Sequence, residues 1–181
     1  MASRIPEKLT PAALAALAAA RRSTDTSYAG RTVLARVVGI HDGDTVRLVF
    51  VADAAASPPH VVQVVARLNG YDSPEIHPGL ATVNRAAVVA AAQAARAAIA
   101  AATGFDLESD SPIPGRYVIA ALSGFDKYGR VLVDLYQPGT EPGTGMGSAA
   151  SQQQHINQMM IDRGFGVAYA GGSKSAAWGK K

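Results

Sequence analysis

Three strand-like runs, a helix, two more strands and a last helix follow one another along this chain. That order predicts an α+β fold, mainly β: a five-stranded OB-type barrel with two or three appended helices. Two further observations agree with it. An Asp-Gly pair, Asp42-Gly43, sits between the first two apolar runs, a strong short-range hairpin signal. The 18 glycines and 10 prolines among 181 residues suit a turn-rich β fold better than a helical bundle. One domain is expected: residues 31–172, preceded by an extension (1–30) with a short helix and followed by a short basic tail (173–181). Such a barrel speaks for binding, with or without chemistry, so the site residues must decide.

The extension reads as a helix from Pro11 to Arg22. Thr10 is its N-cap, Pro11 takes the first helical position, Leu14 and Leu17 share a stripe, and Arg21 and Arg22 complement the dipole. Residues 31–40 and 45–51 are strand-like runs joined at Asp42-Gly43. Residues 52–60 form a Pro-containing loop. The next run, HVVQVVARL, alternates: Val61, Gln63, Val65 and Arg67 share one face, and Val62, Val64, Ala66 and Leu68 the other. From about Val83 to Ala102 the pattern turns helical, with Val88, Ala92, Ala95 and Ile99 on one side and Gly104 as the stop. Residues 103–115 read as an inserted loop. RYVIAAL (116–122) and VLVDLY (131–136) form a second hairpin around SGFDKYGR. Residues 137–150, rich in Gly, Pro, Ser and Thr, are expected to be mobile. Ser151 and Gln154 fit a capping box opening a helix that runs through Arg163 and stops at Gly164.

Composition narrows the chemistry. The formal charge of +3, with a pI near 9.3, permits an anionic partner without requiring one. The absence of cysteine excludes disulfides, thiolate metal sites and cysteine nucleophiles. Any metal must therefore bind oxygen or imidazole, which points to calcium or a similar hard ion where carboxylates cluster. His41, His60, His77 and His155 show no close metal-ligand spacing. No apolar run has the length and hydrophobicity of a membrane span. The alanine-rich stretch Ala12–Ala20 imitates a signal-peptide core only weakly, since Glu7 precedes it and Arg21-Arg22 follow it.

Three segments carry the candidate site. HDGDTVRL (41–48) places Asp42 and Asp44 around a tight turn. ARLNGYDSPE (66–75) brings Arg67 to a strand end next to Asp72 and Glu75. FDKYGRVL (125–132) places Arg130 just past a second turn. Singly, each reads equally well as a solvated strand end, a turn former or a surface arginine. Together they supply carboxylates for a hard cation, a carboxylate to handle water, and two guanidinium forks for phosphate oxygens. That is a set for cleaving a phosphodiester. In these pieces and their order the chain resembles the staphylococcal nuclease (thermonuclease) family: Asp42-Gly43-Asp44-Thr45-Val46, then Arg67-Leu68 and Asp72-Ser73-Pro74-Glu75, then Asp126-Lys127-Tyr128-Gly129-Arg130. INQMMIDRGFGVAY (156–169) also resembles that family's second helix and its glycine stop. The likeness covers roughly residues 31–170.

The resemblance implies a calcium-dependent endonuclease that acts on DNA and RNA with low sequence specificity and leaves 3′-phosphate ends. It makes Asp44 and Asp72 the carboxylate ligands of Ca2+. The carbonyl of Ser73, held extended by the proline after it, is a further candidate ligand. Asp42 reads as a turn former or a neighbour of the ligands ahead of a ligand itself. Glu75 is the candidate for positioning or deprotonating the attacking water. Arg67 and Arg130 fit the family's two-arginine phosphate clamp, in which planar bidentate donors stabilise charge on the equatorial oxygens. Lys127 and Tyr128 are candidate phosphate or base-stacking contacts, although a turn lysine and a half-buried tyrosine explain them nearly as well. Tyr169 corresponds to a family tyrosine near the nucleotide.

The chain departs from the family in four places. Tyr71 stands where an aliphatic residue is usual, the 48–67 hairpin is long, the 76–82 loop is short and lacks lysine, and the residues after Gly172 leave little room for a C-terminal helix. None of these removes a catalytic residue. The expected partners are DNA and RNA as substrates, with no membrane, and the expected state is a monomer. An intracellular or particle-packaged setting is expected ahead of secretion. The rival reading is a non-catalytic OB-fold module that binds nucleic acid or protein. A pure binder has no chemical need for Asp44, Arg67, Asp72, Glu75 and Arg130 together.

Overall fold

The computed structural model describes residues 10–19, 28–138 and 154–170. Its elements, in chain order, begin with α1 (Pro11–Ala19), β1 (Thr32–Asp42), β2 (Thr45–Asp53), β3 (His60–Leu68) and β4 (Tyr71–Asp72). After these come α2 (Arg85–Thr103), β5 (Phe105–Asp106), β6 (Ser111–Pro112), β7 (Val118–Phe125), β8 (Val131–Tyr136), α3 (Ile156–Asp162) and β9 (Val167–Ala168). Five strands close a barrel in the order β1-β2-β3-β8-β7, and β7 returns to pair with β1. All its neighbours are antiparallel except β3 and β8, which run parallel with Arg67 opposite Leu132. This is the mainly β, OB-type architecture with appended helices that the element order predicts.

Alternation along each strand fills the barrel. Val33, Ala35 and Val37 of β1 meet Val46, Leu48 and Phe50 of β2, Val62, Ala66 and Leu68 of β3, and the inward residues of β7 and β8. Each large side chain buried this way contributes about 1.5–3 kcal/mol. The face assignment for β3 holds for Val62, Ala66 and Leu68, which are buried, and for Val65, which is exposed, whereas Val61, Gln63 and Val64 are all half-buried. Arg67 breaks the pattern. It lies on the outer face, yet it is only 6% exposed because β4 folds back across it.

α2 fits its reading closely: Ala92, Ala95 and Ile99 are buried, and Gly104 ends the helix at φ 72° with its N–H on the carbonyl of Ala100. By length and composition alone α2 is apolar enough to cross a membrane. Its Ala92, Ala95 and Ile99 face is buried while most of the helix is exposed, and Gln93 and Arg96 interrupt its run. Arg96 donates to the Ile40 carbonyl through Nε (3.3 Å) and Nη2 (3.2 Å), tying the helix to the end of β1. Gly43 then lets the β1–β2 turn approach both the helix and the site. A Cβ there would stand 2.7 Å from Ala95 Cβ and 2.8 Å from Ser73 Cβ. The glycine is needed for this close approach, and it does not take a left-handed φ.

Three expectations need correction. Residues 103–115 are not a bare loop: β5 and β6 pair there, and Asp106 accepts from Glu108 N–H (2.9 Å) and the Ser109 hydroxyl (2.7 Å), which folds the turn. The second hairpin runs further than Leu122, to Phe125, through an irregularity between Leu122 and Phe125. The last helix begins at Ile156, and His155, its N-cap, makes no side-chain cap bond. The residues before it are held as strand edge, since His155 bridges to Tyr136 and Gln137 N–H donates to the Gln154 carbonyl (3.0 Å). Ser151 of the expected capping box, most of the 137–150 stretch, Arg21-Arg22 and the tail lie outside the described residues. Within α1, Leu14 N–H bonds the Thr10 carbonyl, in keeping with Thr10 as N-cap, and the helix lies against β2.

Candidate active site

The β1–β2 turn, the β3–β4 corner and the β7–β8 turn meet at one rim of the barrel. Asp42 ends β1, and its Oδ1 accepts from the N–H of Asp44 at 3.3 Å, which makes it the turn former expected. Asp44 projects from the turn into the site. Its Oδ1 accepts from the Thr45 hydroxyl (2.8 Å), and its Oδ2 accepts from the main-chain N–H of Ser73 (3.1 Å) and pairs with Arg67 Nη1. Arg67 Nη2 bonds Asp72 Oδ1 (2.7 Å) and the Tyr71 carbonyl (3.2 Å). Four of the predicted residues thus converge: Asp44, Arg67, Asp72 and Ser73, each at least nine-tenths buried.

Arg130 joins them from the other turn. Its Nε donates to Asp126 Oδ2 (2.7 Å), and its Nη1 donates to the Thr45 hydroxyl (3.1 Å). Because that hydroxyl in turn donates to Asp44, an unbroken chain runs from Asp126 through Arg130, Thr45, Asp44 and Arg67 to Asp72. Thr45 and Asp126 are members of this network that the residue reading missed. A threonine opening a strand reads as a β-former, and an Asp before Lys-Tyr-Gly reads as a turn former. Asp126 is indeed both, since its Oδ1 accepts from the N–H groups of Tyr128 (2.8 Å) and Arg130 (2.9 Å).

The charges are strongly perturbed. Burial, and after it the Asp44 carboxylate, pushes Asp42 up to about 6. Burial also works against ionised Asp44, but the charge and hydrogen bonds of Arg67 outweigh it and hold Asp44 below the ordinary carboxylate range. Arg67 is held more firmly protonated by the same partners, despite its own burial. Asp72 Oδ2 is different: it is buried and meets no hydrogen-bond donor among the described residues. A buried carboxylate oxygen left unpartnered is expensive, and a hard cation would satisfy it. The donor set therefore fits such an ion at Asp44 and Asp72. Among the described residues no three or more acidic or imidazole side chains form a ready-made cage, so main-chain or water oxygens would have to complete it.

Beside this cluster opens a cavity of about 730 Å³, whose lining includes Arg67, Arg130, Lys127, Tyr128 and Tyr169. Tyr128 is 72% exposed, and the Arg130 guanidinium and Lys127 ammonium lie 5.5 and 5.0 Å from its ring centroid. Tyr169 faces Arg67 at 5.7 Å. All three expected substrate contacts thus share one cavity with both arginines. Glu75 does not line it; it lies half-buried in the loop after β4.

Two positions hold this rim in place. Tyr71 is fully buried and donates its hydroxyl to the Phe165 carbonyl (2.9 Å), so the departure noted at this position fills space beneath Asp72. Asn157 of α3 donates to the carbonyls of Asn69 (3.0 Å) and Val133 (2.9 Å) and accepts from Leu135 N–H (3.0 Å), fixing the corner that follows Arg67. Comparison with protein-family models and with curated proteins finds no match for this chain.

Proposed function

We propose that this protein is a cation-dependent nuclease of the staphylococcal nuclease type, hydrolysing phosphodiester bonds of DNA and RNA with low sequence specificity. The observation that carries the reading is the continuous Arg130–Thr45–Asp44–Arg67–Asp72 chain at the mouth of a cavity lined by Lys127, Tyr128 and Tyr169. Carboxylates that could hold a cation, two guanidinium groups, an exposed Tyr128 ring and a half-buried Tyr169 ring suit a single-stranded or frayed phosphodiester at that mouth.

Asp44 and Asp72, with the Ser73 carbonyl, would hold Ca2+, which when bound neutralises phosphate charge and makes an attacking water more acidic. The protein's own groups do the rest. Arg67 and Arg130 donate to the non-bridging phosphate oxygens as charge builds there, and the tyrosine rings hold a base; Glu75, half-buried in the loop after β4 and outside the cavity lining, is the candidate acceptor for the attacking water's proton. The rival reading, a binding module, draws on the same chain of contacts: Arg67 and Arg130 are each already paired to carboxylates, as in a purely structural network.

Incubating the protein with plasmid and with single-stranded DNA, in calcium or in chelator, decides between them. Cleavage should need calcium, and Arg130→Ala or Glu75→Gln should lower turnover by about 10² or more while DNA binding and folding persist. Binding without cleavage under any divalent cation would favour the module. Full cleavage in chelator would overturn the cation site.

A further inference from the structure

We propose that Arg67 is a built-in counter-ion, which occupies the Asp44–Asp72 carboxylate pair until a divalent cation displaces it and frees its guanidinium to bind phosphate in the cavity. The inference rests on the function proposed above and adds an order of events to it.

The geometry points to this through which atoms Arg67 satisfies. Its Nη1 is on Asp44 Oδ2, and its Nη2 is on Asp72 Oδ1 and the Tyr71 carbonyl. Two of these three partners are oxygens of the carboxylates that would hold the cation. A guanidinium turned to them in this way has both terminal nitrogens committed, and a phosphate cannot receive its bidentate fork without breaking those bonds. Yet the same side chain borders the cavity and lies beneath Tyr169, so only a short rotation separates the two arrangements.

Asp72 Oδ2, which has no hydrogen-bond partner among the described residues, gives the exchange a starting point. An incoming cation can engage that oxygen before any existing bond breaks, and then compete for Asp44 Oδ2. Charge favours the step. The paired cluster holds two carboxylates, Asp44 and Asp72, against one guanidinium, with Asp42 beside them, so the site remains negative with Arg67 in place. Once displaced, Arg67 would be left unpaired in a nearly buried setting, a costly condition that a bound phosphate relieves. Cation and phosphate then favour each other's binding through one side chain, and by linkage the effect must be reciprocal.

Calorimetric titration of the full chain with Ca2+ tests this, using wild type, Arg67→Met and Arg130→Met. Removing the internal competitor should tighten Ca2+ binding by about tenfold in Arg67→Met, the scale of a charge-assisted arginine–carboxylate pair. The same variant should lose thermal stability in chelator and regain it with Ca2+. Arg130→Met removes an equal charge that lies one hydroxyl further from the carboxylates, and should change Ca2+ affinity by no more than about twofold. Unchanged or weaker Ca2+ binding in Arg67→Met would overturn the counter-ion role while leaving the cation site intact. Equal tightening in both variants would also overturn it, since the general field would then suffice. No Ca2+ binding in wild type or Arg67→Met would overturn the cation site as well. Should Arg67→Met fail to fold in chelator, Arg67→Lys carries the same test, because one ammonium cannot span both carboxylates. It should bind Ca2+ more tightly than wild type, and failure to do so counts against the exchange.

Discussion

Replacing Gly166 with alanine adds a single methyl group at the point where β9 crosses β4, and the surroundings leave it nowhere to go. The new Cβ would stand 2.7 Å from Tyr71 Cζ, and closer still to Tyr71 Cε2 and to the carbonyl oxygen of Asp72. Neither neighbour is a loose end. The Tyr71 ring is fully buried and tied at its hydroxyl to Phe165, and the Asp72 carbonyl belongs to β4, paired with β9 through Asp72 and Val167. Relief must come from sliding β9 off β4, which strains the bond from Tyr169 N–H to the Gly70 carbonyl (2.9 Å). Overpacking of this kind costs about 1–3 kcal/mol, and a weakened main-chain bond adds about 1. We expect a loss of about 3 kcal/mol in urea unfolding at constant m-value, equivalent to roughly 6–12 °C in Tm. Gly164→Ala is the internal control. Gly164 has φ 73° but open space around it, so only the left-handed penalty of about 1 kcal/mol applies. If Gly166→Ala proved no more damaging than Gly164→Ala, the close packing of β9 on β4 would be refuted.

Asp42 sets a pH dependence. Its carboxyl, at about 6 against an ordinary 3.8, holds its proton more tightly in the fold than in the unfolded chain. Its stabilising contribution is complete below about pH 4 and is lost as pH rises through 6. In chelator, Asp42→Asn should therefore gain on wild type across that window, reaching about 3 kcal/mol by neutral pH; a difference flat with pH would contradict the assignment. Thr45→Val breaks the link between Arg130 and Asp44 and should lower kcat about tenfold with little change in KM, whereas Thr45→Ser should restore most of it. Equal loss in both would mean that strand packing, not the hydroxyl, matters. Asn157→Ala leaves the Asn69 carbonyl and the Leu135 N–H without their Asn157 partner inside the fold, while the Val133 carbonyl keeps the Asn69 N–H, and should cost about 2–3 kcal/mol in the same urea assay. A loss under about 0.5 kcal/mol would show that water replaces it.

Much of this was readable in the residues. Alternation marked the inward faces of the barrel strands, the 3.6-residue spacing of Val88, Ala92, Ala95 and Ile99 marked the packed side of α2, and Gly104 marked its stop. Asp44, Asp72 and Arg67 do meet. What escaped the reading depends on distant partners. Alternation puts Arg67 on an outer face, and nothing in a period of two says that β4 will fold over that face and bury it. Likewise, Gly166 looks like any loop glycine until Tyr71, far back in the chain, is seen against it. The β5–β6 pair was hidden because its two-residue strands are too short to show a period, and the Asp106 side chain organises the turn instead. The start of α3 was misplaced because a capping pattern is local, while the pairing of His155 with Tyr136 is not.

The parallel pairing of β3 with β8 has a consequence for how activity comes into being. Hairpins such as β1–β2 and β7–β8 can form within a few residues of chain, but the ladder from Ala66-Val131 to Leu68-Val133 must enclose everything between. Arg67 and Arg130 come from the two ends of that enclosed segment. Neither half of the chain, however well its own hairpins form, brings both guanidinium groups to one phosphate. Assembly of the candidate site is thus a property of ring closure, a late and slow event for so non-local a contact. On the proposed nuclease reading, a nascent or partly unfolded chain, even one rich in strand, would lack the assembled site until the last seam shuts.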